Sequence, residues 1–146
     1  MVGVGEVAPE FEGPSSLGGR FRLSEQRGHP VVVYFYPAAD TPGCTVETKA
    51  FRDLHPEFQR RQVTVVGVSV DTPDDESKFA RKFDVPFGLI ADPDGKIAAA
   101  YGVVGKSGSA RRVSFLIGPD GHVVETVDTS KPMPHVEAAK ARFLSA

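Results

Sequence analysis

Cys44 is the only cysteine among the 146 residues. A lone thiol can serve as a nucleophile, as a redox centre or as a small buried hydrophobe. It ends the stretch Tyr36-Pro37-Ala38-Ala39-Asp40-Thr41-Pro42-Gly43-Cys44, which follows an apolar run and precedes a helical pattern. The sequence therefore predicts the sulfur at a strand-to-helix junction. Open α/β sheets carry their sites beyond the carboxyl ends of the strands. A helix N-terminus presents unpaired N–H groups and the positive end of a dipole. Both favour the thiolate, the reactive form of a thiol. On position alone, the reactive and the structural readings stand level.

The neighbouring residues add weight to reactivity. Thr41 lies three residues before the cysteine, and its hydroxyl could accept a hydrogen bond from a peroxide or donate one to the sulfur. Its competing role is a helix N-cap. Pro37 and Pro42 stiffen the loop, which loop termination alone would also explain. Glu47 either orients a neighbouring cation or simply suits the positive helix end.

The elements that must position these groups follow from periodicity. Residues 20–23 alternate polar and apolar like a short strand. Residues 31–36 (VVVYFY) form a continuous β-branched and aromatic run, as expected of a central strand covered on both faces, and Pro37 ends it. A helix is predicted from about Cys44, with Val46, Ala50, Phe51, Leu54 and Phe58 near one face. Pro56 is expected to kink or split it. Residues 63–70 (VTVVGVSV) read as a second buried strand. Asp71-Thr72-Pro73 starts another helix. There Asp74, Asp75 and Glu76 suit the N-terminus, and Phe79, Ala80 and Phe83 face the core. Residues 88–91 read as a short strand. A turn at 92–95 and a short helix to Tyr101 follow. Residues 113–117 and 122–127 flank Gly118-Pro119-Asp120-Gly121 as a hairpin. A last helix at 134–144 would bury Val136, Ala139 and Phe143. The first two long strands need a crossover and should be parallel, whereas the hairpin adds antiparallel strands. The expected result is one α/β domain with a mixed central sheet and helices on both faces.

Composition excludes several classes. A net charge of −2 and only two short basic pairs give no electrostatic case for nucleic acid or an anionic membrane. The longest apolar run is far shorter than the ~20 residues of a membrane helix. The start of the chain shows no secretory signal, so a cytoplasmic location is expected. A single cysteine permits no internal disulfide, and the four histidines form no ligand pair by spacing. No metal or other cofactor is expected.

The residues Pro37, Thr41 and Cys44 resemble the peroxiredoxin active-site motif Pro-x-x-x-Thr-x-x-Cys. The wider stretch YFYPAADTPGCTVET at 34–48 is similar to the bacterioferritin comigratory protein, or peroxiredoxin Q, branch of that family. The segments VGEVAPEF at 4–11, FGLIADPDGKIAAAYGV at 87–103 and ARRVSFLIGPDGHVV at 110–124 resemble further family segments in the family's order. The resemblance implies a single thioredoxin-like domain over residues 1–146. It also implies a catalytic arginine at the start of the late strand, which falls on Arg112. Arg111 is adjacent, and strand alternation lets only one of the two face the sulfur.

Many relatives carry a second, resolving cysteine five residues after the first, where this sequence has Lys49. The resemblance therefore implies a one-cysteine peroxidase. It would reduce hydrogen peroxide or organic hydroperoxides through a Cys44 sulfenic acid. An external thiol such as thioredoxin, glutaredoxin or a low-molecular-weight thiol would then restore the cysteine. It would work as a monomer or weak homodimer. A non-catalytic sensor that signals through a mixed disulfide at Cys44 is the principal alternative. A disulfide reductase is disfavoured because a lone thiol cannot release its own mixed disulfide. A cysteine hydrolase lacks an evident histidine base.

Overall fold

The computed structural model describes residues 1–145. Strands β1 (Glu12–Pro14) and β2 (Arg20–Arg22) form a small antiparallel ribbon. The main elements follow as β3 (Val31–Phe35), α1 (Pro42–Arg60), β4 (Thr64–Ser69), α2 (Pro73–Lys82), β5 (Gly88–Ala91), α3 (Lys96–Tyr101), β6 (Val113–Ile117), β7 (Val123–Asp128) and α4 (Met133–Phe143). The five longer strands make one sheet in the order β5-β4-β3-β6-β7. Strands β3, β4 and β5 are parallel, and β6 and β7 are antiparallel to their neighbours.

All five residues of the central strand β3 are buried, which is why it reads as an unbroken apolar run. Its side chains alternate between two cores. Val31, Val33 and Phe35 pack with Phe11, Ile97 and Tyr101, on the face covered by α3 and the N-terminal segment. Val32 and Tyr34 pack with Phe51, Phe58, Phe79, Val136 and Ala139, on the face covered by α1, α2 and α4. Each fully buried side chain of this size contributes roughly 1.5–3 kcal/mol. This mixed sheet with helices on both faces is the thioredoxin-like arrangement that the resemblance implies.

Helix α1 is fixed on the sheet by Tyr34. Its ring stacks on Phe51 at 4.7 Å, and its hydroxyl lies 2.9 Å from that of Thr48. The neighbouring strand makes room through Gly67, where a Cβ would sit 2.8 Å from the Tyr34 ring. Cys44, on the same helix, is placed by these contacts.

Helix α1 departs from the sequence reading in two places. Of the kink or split expected at Pro56, the split is absent, for the helix runs unbroken from Pro42 to Arg60. The proline is exposed, and the flanking Phe51, His55 and Phe58 are buried, so packing on both sides of the lost hydrogen bond keeps the segment helical. The buried face also differs from the apolar pattern. Val46 is 48% exposed, whereas Glu47 and Thr48 are fully buried. In α2, Thr72 caps the Asp75 N–H as expected, but Glu76 points into the core. No helix among the described residues is long and apolar enough to cross a membrane.

Candidate active site

The chain leaves β3 at Phe35 and turns through the loop 36–41, in which Asp40 adopts a left-handed conformation. Thr41 is extended, Pro42 supplies the first helical residue, and Cys44 is the third residue of α1. Proline suits that first position because its fixed φ is helical and its missing N–H would be unpaired there. The Thr41 hydroxyl does not cap the helix. It donates to the Ala38 carbonyl at 2.8 Å. Its hydrogen is thereby engaged, so it is not aimed at the sulfur, and its oxygen remains an acceptor. No hydrogen bond among the described residues engages the N–H groups of Gly43 and Cys44.

A second tie holds the loop to the sheet. Asp71, just after β4, accepts from the Ala39 N–H at 2.8 Å and from the Ser69 hydroxyl at 2.6 Å. The Ser69 hydroxyl also lies 3.0 Å from Glu76 Oε1, and the Tyr36 hydroxyl lies 2.7 Å from both Glu76 oxygens. The residues flanking Pro37 are thus anchored through a buried polar network.

Arg112 comes from the segment just before β6. The antiparallel pairing of Phe35 with Val113 continues to place Arg112 opposite Tyr36, beside the start of the loop. Its guanidinium is buried and each face of it is committed. Nε donates to the Ser130 carbonyl at 2.9 Å, Nη1 to Glu47 Oε1 at 2.6 Å, and Nη2 to Cys44 Sγ at 3.3 Å. Arg111 points elsewhere and pairs with Asp128 at 2.9 Å. Of the two adjacent arginines, only Arg112 reaches the sulfur.

The approach to Cys44 depends on Gly43. A Cβ there would lie 2.9 Å from Arg112 Nη2. Its absence lets the guanidinium close on the helix N-terminus. A cavity of about 300 Å³ lies alongside, lined by Pro37, Arg111, Arg112, Asp128 and Ser130. Cys44 itself is fully buried. Arg112 is therefore the group that both touches the sulfur and faces the opening.

Burial pushes the Glu47 carboxyl above its ordinary value, and the Arg112 guanidinium pulls it back down. Burial opposes the charge on Arg112, but Glu47 and Cys44 outweigh it and hold the guanidinium above its ordinary value. Glu47 therefore orients the cation; it is not a solvated acid at the helix end. Its second oxygen, Oε2, is buried with no hydrogen-bond partner among the described residues.

The structure brings Cys44, Thr41, Pro37 and Arg112 to one end of the sheet. It adds groups that spacing did not reveal. The Ser130 carbonyl holds Arg112, and a buried His135 stands 3.8 Å from Glu47 Oε2. A backbone carbonyl leaves no trace in a sequence, and His135 is separated from Glu47 and Ser114 by long stretches of chain. An arrangement of this kind can polarise a thiol sulfur and stabilise negative charge that develops next to it.

Residues 4–126 match the AhpC/TSA family. Among curated proteins, the chain is 37% identical to peroxiredoxin Bcp of Escherichia coli strain K12 over 138 residues, covering 90% of this chain and 88% of that protein. It is 34% identical to peroxiredoxin Bcp of Bacillus subtilis over 145 residues, covering 94% and 92%. Among solved structures, it resembles peroxidoxin BcpB of Mycobacterium tuberculosis with a TM-score of 0.89 at 36% identity, over 97% and 96% of the two chains. It resembles the bacterioferritin comigratory protein of Xanthomonas campestris, described for its alkyl peroxide reduction activity, with a TM-score of 0.85 at 31% identity, over 92% and 90%.

Proposed function

The chain belongs to the AhpC/TSA family and is a thiol-dependent peroxidase of the peroxiredoxin type, and from that premise we propose that Cys44 is the sulfur that peroxide oxidises. The observation that carries this reading is the 3.3 Å contact between Arg112 Nη2 and Cys44 Sγ at a helix N-terminus. A guanidinium stays charged, so it can stabilise negative charge on the sulfur it touches.

The thiolate attacks one oxygen of the hydroperoxide and forms an S–O bond as the O–O bond breaks. The departing alkoxide or hydroxide takes a proton and leaves as alcohol or water, and Cys44 becomes a sulfenic acid. Arg112 stabilises the charge that shifts onto the departing oxygen, as a preorganised and largely buried donor. The free Gly43 and Cys44 N–H groups and the Thr41 oxygen hold the peroxide in line. Pro37 keeps the loop's N–H inventory small and shields the sulfur. An external thiol then attacks the sulfenic sulfur and releases water. A second thiol displaces Cys44 from the mixed disulfide, leaving an oxidised thiol pair. These steps balance with peroxide and two thiols alone.

The same proposal names thioredoxin, glutaredoxin or a small thiol as the reductant, since the chain's single cysteine cannot resolve itself. It takes the chain as one domain carrying one site, because both cores share the five-stranded sheet, and as a monomer or weak homodimer. A reducing compartment such as the cytoplasm suits a catalyst that must return to the thiol.

Mass spectrometry with a sulfenic-acid trap tests the assignment. One equivalent of hydrogen peroxide should yield one adduct, at Cys44, and added thiol should give repeated turnovers. Oxidation at Met1 or Met133 with Cys44 unchanged would refute it. A single turnover that thiols cannot renew would favour the sensor.

A further inference from the structure

We infer that His135 is a positioning residue for Arg112, acting through both of the groups that hold the guanidinium. The inference rests on the peroxidase reading above. His135 is fully buried in the first turn of α4. Its Nε2 lies 2.8 Å from the Thr129 carbonyl, which can only accept, so Nε2 carries the hydrogen. Its Nδ1 lies 2.7 Å from the Ser114 hydroxyl. In the neutral ring Nδ1 is an acceptor, and Ser114 donates to it. The two partners thus select one tautomer.

Each bond leads to an anchor of Arg112. Thr129 precedes Ser130, whose carbonyl accepts from Arg112 Nε. By holding the Thr129 carbonyl, the imidazole fixes the end of β7 that supplies this anchor. On its other side, Nδ1 lies 3.8 Å from Glu47 Oε2, the carboxyl oxygen that has no hydrogen-bond partner among the described residues. Glu47 Oε1 is the second anchor. The neutral Nδ1 already accepts from Ser114 and brings no charge to Oε2, so the Glu47 carboxyl stays committed to Arg112. A protonated ring would turn the Ser114 hydroxyl round to accept from Nδ1–H and place a positive charge 3.8 Å from Oε2, where it competes with the guanidinium for the carboxyl.

The groups facing His135 are Glu47 from α1, Arg112 and Ser114 from the β6 segment, Asp128 at the end of β7 and Thr129 just after it. Burial holds the imidazole below its ordinary value and the Arg112 charge adds to this, opposed by the Thr129 hydrogen bond and by Asp128. The neutral ring is therefore the resting form near neutral pH. Its protonation in acid loosens the guanidinium from the sulfur.

The test measures the second-order rate of Cys44 oxidation by hydrogen peroxide between pH 5 and 8 for three proteins, with urea unfolding as the check on folding. His135→Phe keeps a ring but neither nitrogen, and should slow oxidation about 10-fold at pH 7. His135→Gln restores a donor for the Thr129 carbonyl without a titrating group, and should recover most of the rate. The Gln variant should also lose less of its rate than wild type as pH falls toward 5. Ser114→Ala removes the hydroxyl that occupies Nδ1 and should move the wild-type acid limb to higher pH, which keeps the idea testable if His135→Phe fails to fold. A folded His135→Phe with the wild-type rate, a Gln variant with the wild-type pH profile, or an unmoved limb in Ser114→Ala would each overturn the inference. Wild-type Cys44 that peroxide does not oxidise would instead sink the peroxidase reading beneath it.

Discussion

Arg112 Nη1 lies 2.6 Å from Glu47 Oε1, with both side chains almost wholly out of solvent. A buried ion pair of this kind is weak evidence for stability, since desolvation offsets most of the attraction. Here it fixes direction. With Nη1 held by Glu47 and Nε by Ser130, the remaining Nη2 can only face the helix N-terminus and its sulfur.

Arg112→Ala should slow Cys44 oxidation by on the order of 10²–10³, the loss expected when one preorganised donor is removed. It also leaves Glu47 buried without its cation, at about 3–5 kcal/mol of stability. Adding Glu47→Gln should recover stability but not rate. Arg111→Ala, which loses only an exposed pair with Asp128, should change neither by much. Stopped-flow oxidation and urea melts of the four proteins separate these effects.

Gly43→Ala should separate rate from stability in the opposite sense. Alanine in a helix is favoured over glycine by roughly 0.5–1 kcal/mol. The new methyl would meet Arg112 Nη2 at 2.9 Å and push the guanidinium off the sulfur. The expected result is an unchanged or raised melting temperature with oxidation slowed about 10-fold. A wild-type rate in a folded Gly43→Ala would show that the contact is dispensable.

Thr41→Val keeps the shape of the side chain but removes the hydroxyl that donates to Ala38. Oxidation should fall by on the order of 10²-fold, and Thr41→Ser should retain most of the rate. Comparable losses in the two variants would point to the methyl group and to loop packing.

Glu76 makes stability depend on pH. Burial pushes its carboxyl from an ordinary 4.5 up to about 8, against the Tyr36 and Ser69 hydrogen bonds. Between those values the folded chain holds a proton that the unfolded chain has lost. This contribution is complete below about pH 4.5 and is lost as pH rises toward 8. The slope is up to roughly 1.4 kcal/mol per pH unit. Glu76→Gln should flatten the fall in urea midpoint between pH 5 and 8 and exceed wild type at pH 8.

The strands of the main sheet, the hairpin and the helix that starts beside Cys44 were legible in the sequence because each is a local pattern with a local cause, whereas the three-residue β1 is too short and too poor in apolar residues to show one. Pro37, Thr41 and Cys44 share one short loop, and a lone cysteine draws attention to it. Arg112 came from the resemblance, with strand alternation requiring that only one of the adjacent arginines face the sulfur. The polar residues turned inward were legible only in part: orienting a cation was one of two readings of Glu47, but its burial and its partner were not, nor were those of Glu76 and His135. All three break the apolar period of their helices, and their partners lie 65, 40 and 21 residues away in the chain. Val46 was assigned to the buried face for the same reason that Glu47 was not, since the period registers apolar side chains and is blind to a paired charge.

The most direct test of the central claim is the rate at which hydrogen peroxide oxidises the reduced protein, followed by stopped flow beside Cys44→Ser and free cysteine at the same pH. The account predicts one equivalent of peroxide consumed without reductant, at least about 10³-fold faster than free cysteine, and none consumed by Cys44→Ser. A Cys44→Ser protein that consumes peroxide like wild type, or a Cys44 no faster than the free amino acid, would contradict it.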